Sequence, residues 1–127
     1  MLGTAGLMIT DSSHGAQPKA GIEISLAEWS LHRAIQEGRL DHLDFPAKAR
    51  KDFGVGVVEY VNGLFGTKTM NFKEAGKSQD YLKQLLTRSQ DAGVVNHLIM
   101  VDEEGPLALP DEKVRRDAVE NHNKWFY

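Results

Sequence analysis

The stretch Gly56-Val57-Val58-Glu59-Tyr60-Val61-Asn62 decides the fold of this chain. Its valine and tyrosine content is typical of a buried parallel strand, which we assign to Gly56 to Val61. Glu59 interrupts the apolar run, and a carboxylate in such a strand needs either a basic partner or a polar cavity. The stretch therefore predicts a core strand that carries one candidate functional residue.

One further strand lies on each side of this one in the sequence. Ile22 to Trp29 alternates apolar residues with smaller or polar neighbours, which predicts a strand of about seven residues. Val95 to Asp102 contains the apolar run Leu98-Ile99-Met100-Val101 and continues into acidic residues. All three predicted strands therefore have polar residues at their carboxyl ends.

Helical segments follow the first strand. Leu31 to Glu37 predicts a helical turn that ends at Gly38. Asp44 and Pro46 predict the N-cap and the first turn of a helix that ends near Gly54.

A long loop and two more helices complete the pattern. Gly63 to Lys77 carries three glycines with several Lys and Thr residues, and its length predicts an active-site loop. Ser78 predicts the N-cap of a helix that runs to about Ala92, with Gly93 as its C-cap. Pro110-Asp111 predicts the start of a last helix.

The alternation of strands and helices predicts an α/β fold with a parallel sheet and right-handed crossovers. At 127 residues the chain suits one domain, whereas a complete eight-unit barrel needs about 250. Three parallel strands leave two bare edges and one exposed face. We therefore expect a partner, a homo-oligomer formed through the exposed sheet edges, or low stability.

The composition argues against several classes of function. The chain has 15 Lys and Arg residues against 18 Asp and Glu, a net charge of -3, so it lacks the basic footprint of a nucleic-acid-binding protein. It has no cysteine, which removes disulfides, thiol nucleophiles and thiolate metal sites. We expect no nucleic-acid partner.

Residues 1–20 differ in character from the rest. Leu2 to Ile9 is an apolar run too short to span a membrane, and we expect no membrane partner. The run and the small residues that end at Ala16 fit a truncated signal peptide, with His14 at an unfavourable position. The alternatives are a disordered segment and a folded element. A signal remnant would make the protein periplasmic or exported, and without one we expect a cytoplasmic protein.

Four stretches, in this order and spacing, carry a resemblance to a known family. They are Ile24-Ser25-Leu26-Ala27-Glu28-Trp29-Ser30-Leu31-His32-Arg33, Leu43-Asp44-Phe45-Pro46, Phe53-Gly54-Val55 through Val58-Glu59-Tyr60-Val61-Asn62, and Leu98-Ile99-Met100-Val101-Asp102-Glu103-Glu104-Gly105. Together they resemble the opening of bacterial sugar phosphate isomerase/epimerases, which are xylose-isomerase-like TIM barrels. The resemblance covers residues 21–127. It implies the amino-terminal part of a (β/α)8 barrel, a partial barrel of about three β/α units.

The resemblance also implies a reaction and a cofactor. Members of the group use a divalent metal, Mn or Mg, held by carboxylates and a histidine, with two glutamates that move a proton between neighbouring sugar carbons. The metal polarises a carbonyl and hydroxyl pair, and the carboxylates act as base and then acid. In the family these ligands come mostly from strands beyond the third. We therefore expect this chain alone to bind no metal and to be an inactive fragment of an isomerase.

Substrate contacts in a barrel are expected at the carboxyl ends of the strands. Our candidate substrate-binding residues are Trp29, His32, Glu59, Asn62 and Asp102; we assign no catalytic or metal-binding residue. Trp29 offers an aromatic face on which a sugar can stack, although a core position suits it equally well. His32 either contacts the substrate or hydrogen-bonds the backbone.

The other candidates also have two interpretations. Asn62 bonds a sugar hydroxyl or caps a turn, and Asp102 contacts the substrate or begins a solvated acidic turn. Strand alternation puts Glu59 and Asn62 on opposite faces unless the chain turns near Val61. Of the remaining histidines, we expect His97 and His122 to be structural, and His14 and His42 to be exposed.

Three functional hypotheses follow. The first is an isomerase or epimerase that acts on a sugar or sugar phosphate. The second is a noncatalytic exported sugar-binding or interaction protein, which the short length and the signal-like segment favour. The third is a metal-dependent endonuclease for damaged DNA, which shares the barrel superfamily, but the acidic charge balance argues against it.

Overall fold

The computed structural model describes residues 21–125, so the three alternatives predicted for residues 1–20 lie outside the described residues. Within this range the chain forms three strands and five α-helices. The strands are β1 (Leu26–Ala27), β2 (Val57–Val61) and β3 (Val95–Met100), and the helices are α1 (His32–Gln36), α2 (Phe45–Phe53), α3 (Phe72–Ala75), α4 (Gln79–Asp91) and α5 (Glu112–Asn123). Single 3-10 turns occupy Glu28–Leu31, His42–Asp44 and Asn62–Leu64.

The strands form one parallel sheet in the order β1-β2-β3. Ala27 of β1 pairs with Glu59 of β2, and Val61 of β2 pairs with Met100 of β3. The register shifts once, between Val58 and Glu59. The predicted α/β fold with a three-strand parallel sheet is therefore confirmed, and barrel closure stays a prediction.

The first strand is much shorter than the predicted Ile22 to Trp29. Because Leu26 pairs with Val58, the same register would set Ile22 opposite Gly54. Gly54 has a φ of 68° and ends α2, so no extended neighbour exists there for a longer strand to bond. Ile22 is consequently 97% exposed, and the apolar alternation that predicted a strand has no structural counterpart.

Helix α2 begins and ends where the sequence indicates, but its cap differs from the prediction. Pro46 lies in the first turn and Gly54 adopts the left-handed conformation that favours glycine at a helix end. Asp44 occupies the N-cap position without a side-chain capping bond. Its carboxylate instead pairs with Arg88 of α4, which joins the two helices.

The region predicted as one long loop contains an additional helix. Asn71 accepts a hydrogen bond from the Glu74 backbone, and the Glu74 side chain accepts one from the Asn71 backbone, a capping box that starts α3. A four-residue helix carries too little periodicity to be recognised by an apolar pattern. The predicted cap of α4 and the predicted start of α5 are confirmed, because Ser78 and Asp111 are the N-caps and each accepts a backbone hydrogen bond.

The core lies on one face of the sheet, beneath α2 and α4. Val58 and Tyr60 point to this face, and Phe45, Ala49, Tyr81 and Leu85 are among the buried residues that join them. Leu98 and Met100 of β3, which pair with Glu59 and Val61, lie on the opposite face and are about half exposed. One sheet face is thus covered and the other is open. Among the described helices, none has both the length and the apolar character needed to cross a membrane.

Candidate functional site

The carboxyl edge of the sheet is the candidate site. Strand β1 ends at Ala27, β2 at Val61 and β3 at Met100, and parallel strands bring these ends to one edge. In open parallel sheets and in barrels, ligands bind outside the carboxyl ends of the strands. The residues that follow these three positions are therefore the candidates for ligand contact.

Trp29 and His32 form a stacked pair just beyond β1. Their ring centroids lie 4.5 Å apart with 9° between the ring planes. The 3-10 turn that follows β1 brings them together, because residues three positions apart eclipse in such a turn. Trp29 is 51% exposed, so it is not a core residue and one part of its indole is open to a ligand. We call this pair the Trp29–His32 platform.

The orientation of His32 is fixed by the backbone. Its Nδ1 lies 2.6 Å from the carbonyl oxygen of Trp29. A carbonyl can only accept, so Nδ1 carries the proton in this bond. Nε2 is left to accept a hydrogen bond from a ligand hydroxyl when the ring is neutral. His32 therefore makes the predicted backbone hydrogen bond. This bond does not exclude the other interpretation, in which His32 contacts the substrate.

Glu59 lies on the partly open side of β2, opposite Ala27 of β1. Its carboxylate accepts a hydrogen bond from the Ser25 hydroxyl at 2.5 Å. This partner is an exposed serine rather than the lysine, arginine or closed cavity that burial of a carboxylate in an apolar strand would require. Solvent at the open face of the sheet hydrates the Glu59 carboxylate instead.

Asn62 and Asp102 are hydrogen-bonded to each other through the side chain of Asn62 and the backbone of Asp102. The Asn62 amide donates to the Asp102 carbonyl and accepts from the Asp102 N–H, both at 2.8 Å. Asn62 is fully buried, so it links the ends of β2 and β3 and has no free donor facing outward. The chain turns at Asn62–Leu64, as the predicted condition near Val61 required. The Asp102 side chain remains exposed.

The five predicted site residues thus form three separate groups. Trp29 contacts His32, Asn62 contacts Asp102, and Glu59 contacts Ser25. No hydrogen bond or ion pair within residues 21–125 connects one group to another. What they share is the carboxyl half of the sheet, not one closed cavity.

A buried Glu28–His42 pair was missed by the sequence reasoning. Glu28 is 0% exposed and His42 is 2% exposed, so the prediction that His42 is exposed is wrong. Glu28 Oε2 accepts from the Val61 N–H at 3.0 Å. Glu28 Oε1 and His42 Nε2 lie 3.1 Å apart, but not in hydrogen-bond geometry, and neither atom has a hydrogen-bond partner among the described residues.

The network continues from His42 into the loop after β2. The Tyr81 hydroxyl lies 2.5 Å from His42 Nδ1 and also bonds both the N–H and the carbonyl of Gly66. Burial raises the pKa of Tyr81 well above its ordinary value, so the hydroxyl is neutral. The network therefore joins the end of β1, the end of β2, α4 and the 63–77 loop.

The signals for this network were weak in the sequence. Glu28 follows an apolar strand directly, as Asn62 does, and that position could have marked it. His42 precedes Leu43 and Phe45, both buried, but a lone histidine next to apolar residues has no periodic signature. The aromatic cluster of Tyr60, Phe65 and Tyr81 that surrounds it comes from distant segments.

The other two described histidines divide between the predicted outcomes. His97 is exposed at the register shift of β3, and its structural role stays a prediction. His122 is partly buried, and its Nδ1 lies 2.7 Å from the Ala118 carbonyl within α5, in agreement with a structural role.

The 63–77 loop lines a cavity of about 430 Å³ on its side facing α1. Gly63 to Lys68 form one wall, and Ile35 to His42 contribute to the other. This cavity is separate from the Trp29–His32 platform, because Trp29 and His32 do not line it. The loop therefore borders a concave surface, as its predicted active-site role requires, and its ligand stays open.

The described residues do not fit the divalent metal that the family resemblance implies. Nowhere in residues 21–125 do three His, Asp or Glu side chains gather in an arrangement that could hold a metal ion. The nearest approach to a ligand pair, Glu28 with His42, is buried against the aromatic cluster. Such sites need at least three protein ligands or several bound waters, whereas this pair supplies two side chains that are almost fully shielded from solvent.

Comparison with known proteins assigns the chain to no family. No protein-family model matches the chain, and no curated protein matches it either.

Proposed function

We propose that residues 21–127 are the amino-terminal part of a (β/α)8 barrel of the sugar phosphate isomerase/epimerase group, and that their strand ends form one side of a sugar site. Three parallel strands in sequential order, with the helices packed on one face, support this proposal. In a barrel the helices cover the outer face and the remaining strands close around the inner one. The open face of this sheet corresponds to that inner face.

The observation that carries the proposal is the Trp29–His32 platform at the carboxyl end of β1. A half-exposed indole is an apolar surface of the size of a sugar ring, and the C–H face of a sugar can stack on it. The free Nε2 of His32 beside it offers a hydrogen bond to a hydroxyl. Apolar stacking combined with one oriented polar group is the usual composition of a small-molecule site.

The other candidate residues have different roles in this proposal, either as hydrogen-bond acceptors or as a positioning residue. Glu59 is partly exposed and Asp102 is exposed, so their carboxylates can accept hydrogen bonds from sugar hydroxyls. Asn62 is a positioning residue, because its amide bonds the Asp102 backbone from both sides. It holds Asp102 in place and does not touch the substrate.

The proposed reaction is a proton transfer between neighbouring carbons of the sugar. A Mn²⁺ or Mg²⁺ ion, when bound, would polarise the carbonyl and hydroxyl oxygens of the substrate. Since the described residues do not form its ligand set, these strands contribute binding and orientation only. The 127-residue chain alone is therefore expected to bind sugars weakly and to turn over none.

Tryptophan fluorescence tests the binding step. The chain has two tryptophans, of which Trp29 is exposed and Trp125 is tied to Glu104 through its indole N–H. Titration with ketose and aldose sugars should change the emission of Trp29, and the Trp29→Phe variant should lose most of that change. A matched control is Phe53→Leu, since Phe53 is also 51% exposed but lies at the end of α2. Equal responses in all three proteins would contradict the proposal.

Deuterium exchange separates the isomerase from the noncatalytic alternative. The alternative is favoured by the missing ligand set, because a sugar-binding or interaction protein needs no metal. Sugars are incubated in D₂O with Mn²⁺ or Mg²⁺ and with the natural protein as purified from its source. Solvent deuterium on a sugar carbon supports the isomerase, and binding without exchange supports the noncatalytic protein.

We also propose self-association through the sheet. The outer edges of β1 and β3 have no strand partner within residues 21–125, and Leu98 and Met100 lie exposed beside one of them. Unpaired edges and apolar faces favour pairing with another chain. Sedimentation equilibrium should give a mass above that of the monomer, whereas a stable monomer at high concentration would contradict this.

A further inference from the structure

A buried chain of polar groups connects the end of β1 to the loop after β2. Glu28 Oε1 lies 3.1 Å from His42 Nε2, and His42 Nδ1 lies 2.5 Å from the Tyr81 hydroxyl oxygen. The same hydroxyl accepts from the Gly66 N–H at 2.8 Å and donates to the Gly66 carbonyl at 3.2 Å. Glu28, His42 and Tyr81 are each at most 3% exposed. Because these side chains are shielded from solvent, the positions of their protons decide which hydrogen bonds form.

The Tyr81 hydroxyl has one proton but two acceptors for it, His42 Nδ1 and the Gly66 carbonyl. When the Glu28–His42 pair holds a single proton, that proton lies on His42 Nε2, since the other neutral tautomer would set the Nε2 lone pair against an ionised carboxylate. His42 Nδ1 is then an acceptor and takes the Tyr81 proton over the shorter contact. The Gly66 carbonyl is left without a hydroxyl donor.

A second proton on the pair reverses this arrangement. In one form His42 is an imidazolium beside ionised Glu28, and in the other Glu28 is protonated and donates to Nε2. His42 Nδ1 carries a proton in both forms. Nδ1 then donates to the Tyr81 oxygen, and the hydroxyl proton is free to bond the Gly66 carbonyl. Protonation of a pair at the end of β1 thereby controls a hydrogen bond in the 63–77 loop.

Gly66 is a tightly constrained position in this loop. Its φ is 125°, a conformation that favours glycine, and a Cβ there would clash with the Met70 carbonyl oxygen. Thr67 and Met70 exchange backbone hydrogen bonds, with N···O distances of 2.9 and 3.3 Å. Residues 63–68 line the cavity of about 430 Å³ between this loop and α1, to which His42 also contributes. A change in how Gly66 is held therefore acts on the wall of this cavity.

The ionisable side chains that face His42 or line its cavity come from several neighbouring segments. They are Glu28, Asp41, Tyr60, Lys68 and Tyr81. Burial raises the pKa of both tyrosines, so their hydroxyls are neutral. The Asp41 carboxylate accepts from the Leu43 N–H. No lysine or arginine of residues 21–125 forms an ion pair with Glu28, so a proton added to the pair neutralises a carboxylate that has no other cationic partner in this part of the chain.

We propose that the Glu28–His42 pair is a pH-sensitive switch for the 63–77 loop. At low pH the doubly protonated pair releases the Tyr81 proton to the Gly66 carbonyl and holds the loop. At higher pH the singly protonated pair withdraws that proton, and the loop is held less firmly. This inference goes beyond the proposed sugar site, because it involves none of the substrate contacts and does not depend on which ligand the cavity takes.

Nuclear magnetic resonance on the isotope-labelled full chain tests the switch between about pH 5 and pH 8, the range in which imidazoles usually titrate. The nitrogen shift of His42 Nδ1 reports its protonation, and the carbonyl carbon shift of Gly66 reports its hydrogen bond. Both should change with the same midpoint. Amide exchange at Met70, corrected for the intrinsic effect of pH, should become about three- to tenfold less protected as the pH rises, in keeping with the loss of one neutral hydrogen bond.

The variant Tyr81→Phe removes only the hydroxyl that couples the pair to the loop. His42 should still change its protonation, while the carbonyl shift of Gly66 and the exchange at Met70 should no longer depend on pH. The matched control is His122→Gln on α5. His122 Nδ1 also lies near a backbone carbonyl, at 2.7 Å, but that carbonyl belongs to its own helix. This control should leave the pH response of Gly66 unchanged.

Matching responses of His42 Nδ1 and the Gly66 carbonyl that disappear in Tyr81→Phe would support the switch. Three results would overturn it, and the unsubstituted chain alone gives two of them. One is constant protonation of Nδ1 between about pH 5 and pH 8, and the second is a Gly66 carbonyl shift that does not follow Nδ1. The third is a pH response of the loop that survives in Tyr81→Phe. None of these measurements includes a sugar, so the proposed sugar site is tested separately.

Discussion

The two faces of the sheet use polar residues in opposite ways at the same strand ends. On the covered side, Glu28, His42 and Tyr81 are buried and contact one another or the backbone. On the open side, Glu59 is only partly buried, and beyond the strand ends Trp29 and Asp102 keep exposed surface. Buried polar groups must find partners within the protein, whereas exposed ones remain free to meet a ligand. Position relative to the helices, more than residue type, therefore separates structural from candidate binding residues.

The largest expected difference between the two faces is in the stability lost when the glutamate on each face is replaced. Replacing Glu28 with Ala removes the acceptor of the Val61 N–H and the neighbour of His42 Nε2. The Val61 N–H is then buried without a hydrogen-bond partner and buried His42 loses its nearby carboxylate, so we expect the free energy of unfolding to fall by about 3 kcal/mol. Urea denaturation measures this loss.

The matched control on the open face is Glu59→Ala. Within residues 21–125 the Glu59 carboxylate hydrogen-bonds only the hydroxyl of exposed Ser25, so its removal should lower the free energy of unfolding by less than about 1 kcal/mol. If the two variants lost the same amount, the division between covered and open faces would be wrong.

A smaller effect is expected where one residue links the strand ends. Asn62→Ala removes two hydrogen bonds to the Asp102 backbone inside the protein, and we expect a loss of about 2 kcal/mol in the free energy of unfolding. Amide hydrogen exchange at Asp102 should also become faster. Asp102→Ala keeps the backbone groups that Asn62 uses and should cost less than about 0.5 kcal/mol. A large loss in the Asp102 variant would mean that its side chain is structural.

Sequence reasoning predicted the parallel sheet and the helices with clear caps. The valine-rich stretch 56–62, Ser78 and Asp111 each act through neighbours close in the chain, so local pattern was sufficient. The length of β1 depended on whether Gly54 could offer an extended partner, which is a contact between segments. Propensity cannot decide such a contact.

The candidate site was predicted less well for the same reason. Trp29 and His32 lie three positions apart, and their exposure could be proposed from the sequence. Whether Asn62 bonds the Asp102 backbone or a ligand depends on segments 40 positions apart. Burial of His42 depends on Tyr60, Phe65 and Tyr81, which are likewise distant in sequence. Side-chain partners across segments are a property of packing that no periodicity encodes.

A third, more modest effect concerns pH and the loop after β3. Glu104 is buried and its carboxylate contacts Lys124 Nζ at 2.7 Å and Trp125 Nε1 at 3.0 Å. Burial raises the pKa of Glu104, but the hydrogen bonds from Lys124 and Trp125 outweigh it, so the pKa lies below its usual range. Exposed Asp102, two positions earlier, has no such partners.

The sign of the pH effect follows from that lowered pKa. The stability contributed by Glu104 is fully present above its unfolded-state pKa, near 4.5, and is lost as the pH falls through the lower folded-state pKa. Between about pH 5 and pH 3 the unsubstituted chain should therefore lose more unfolding free energy than Glu104→Gln. Parallel curves for the two proteins would contradict the assignment.

A limited change in stability is expected at Trp29, and its size decides what the platform is for. Trp29→Ala removes the stacking contact with His32, but about half of the residue is already exposed, so the free energy of unfolding should fall by less than about 2 kcal/mol. Phe53→Ala, at the same exposed fraction of 51%, should cost a similar amount in thermal or urea unfolding. A loss above about 3 kcal/mol at Trp29 alone would be typical of a core aromatic and would argue against a ligand surface. A small loss that coincides with the loss of sugar binding separates the two roles, because a residue kept for packing cannot be removed at so little cost to the fold.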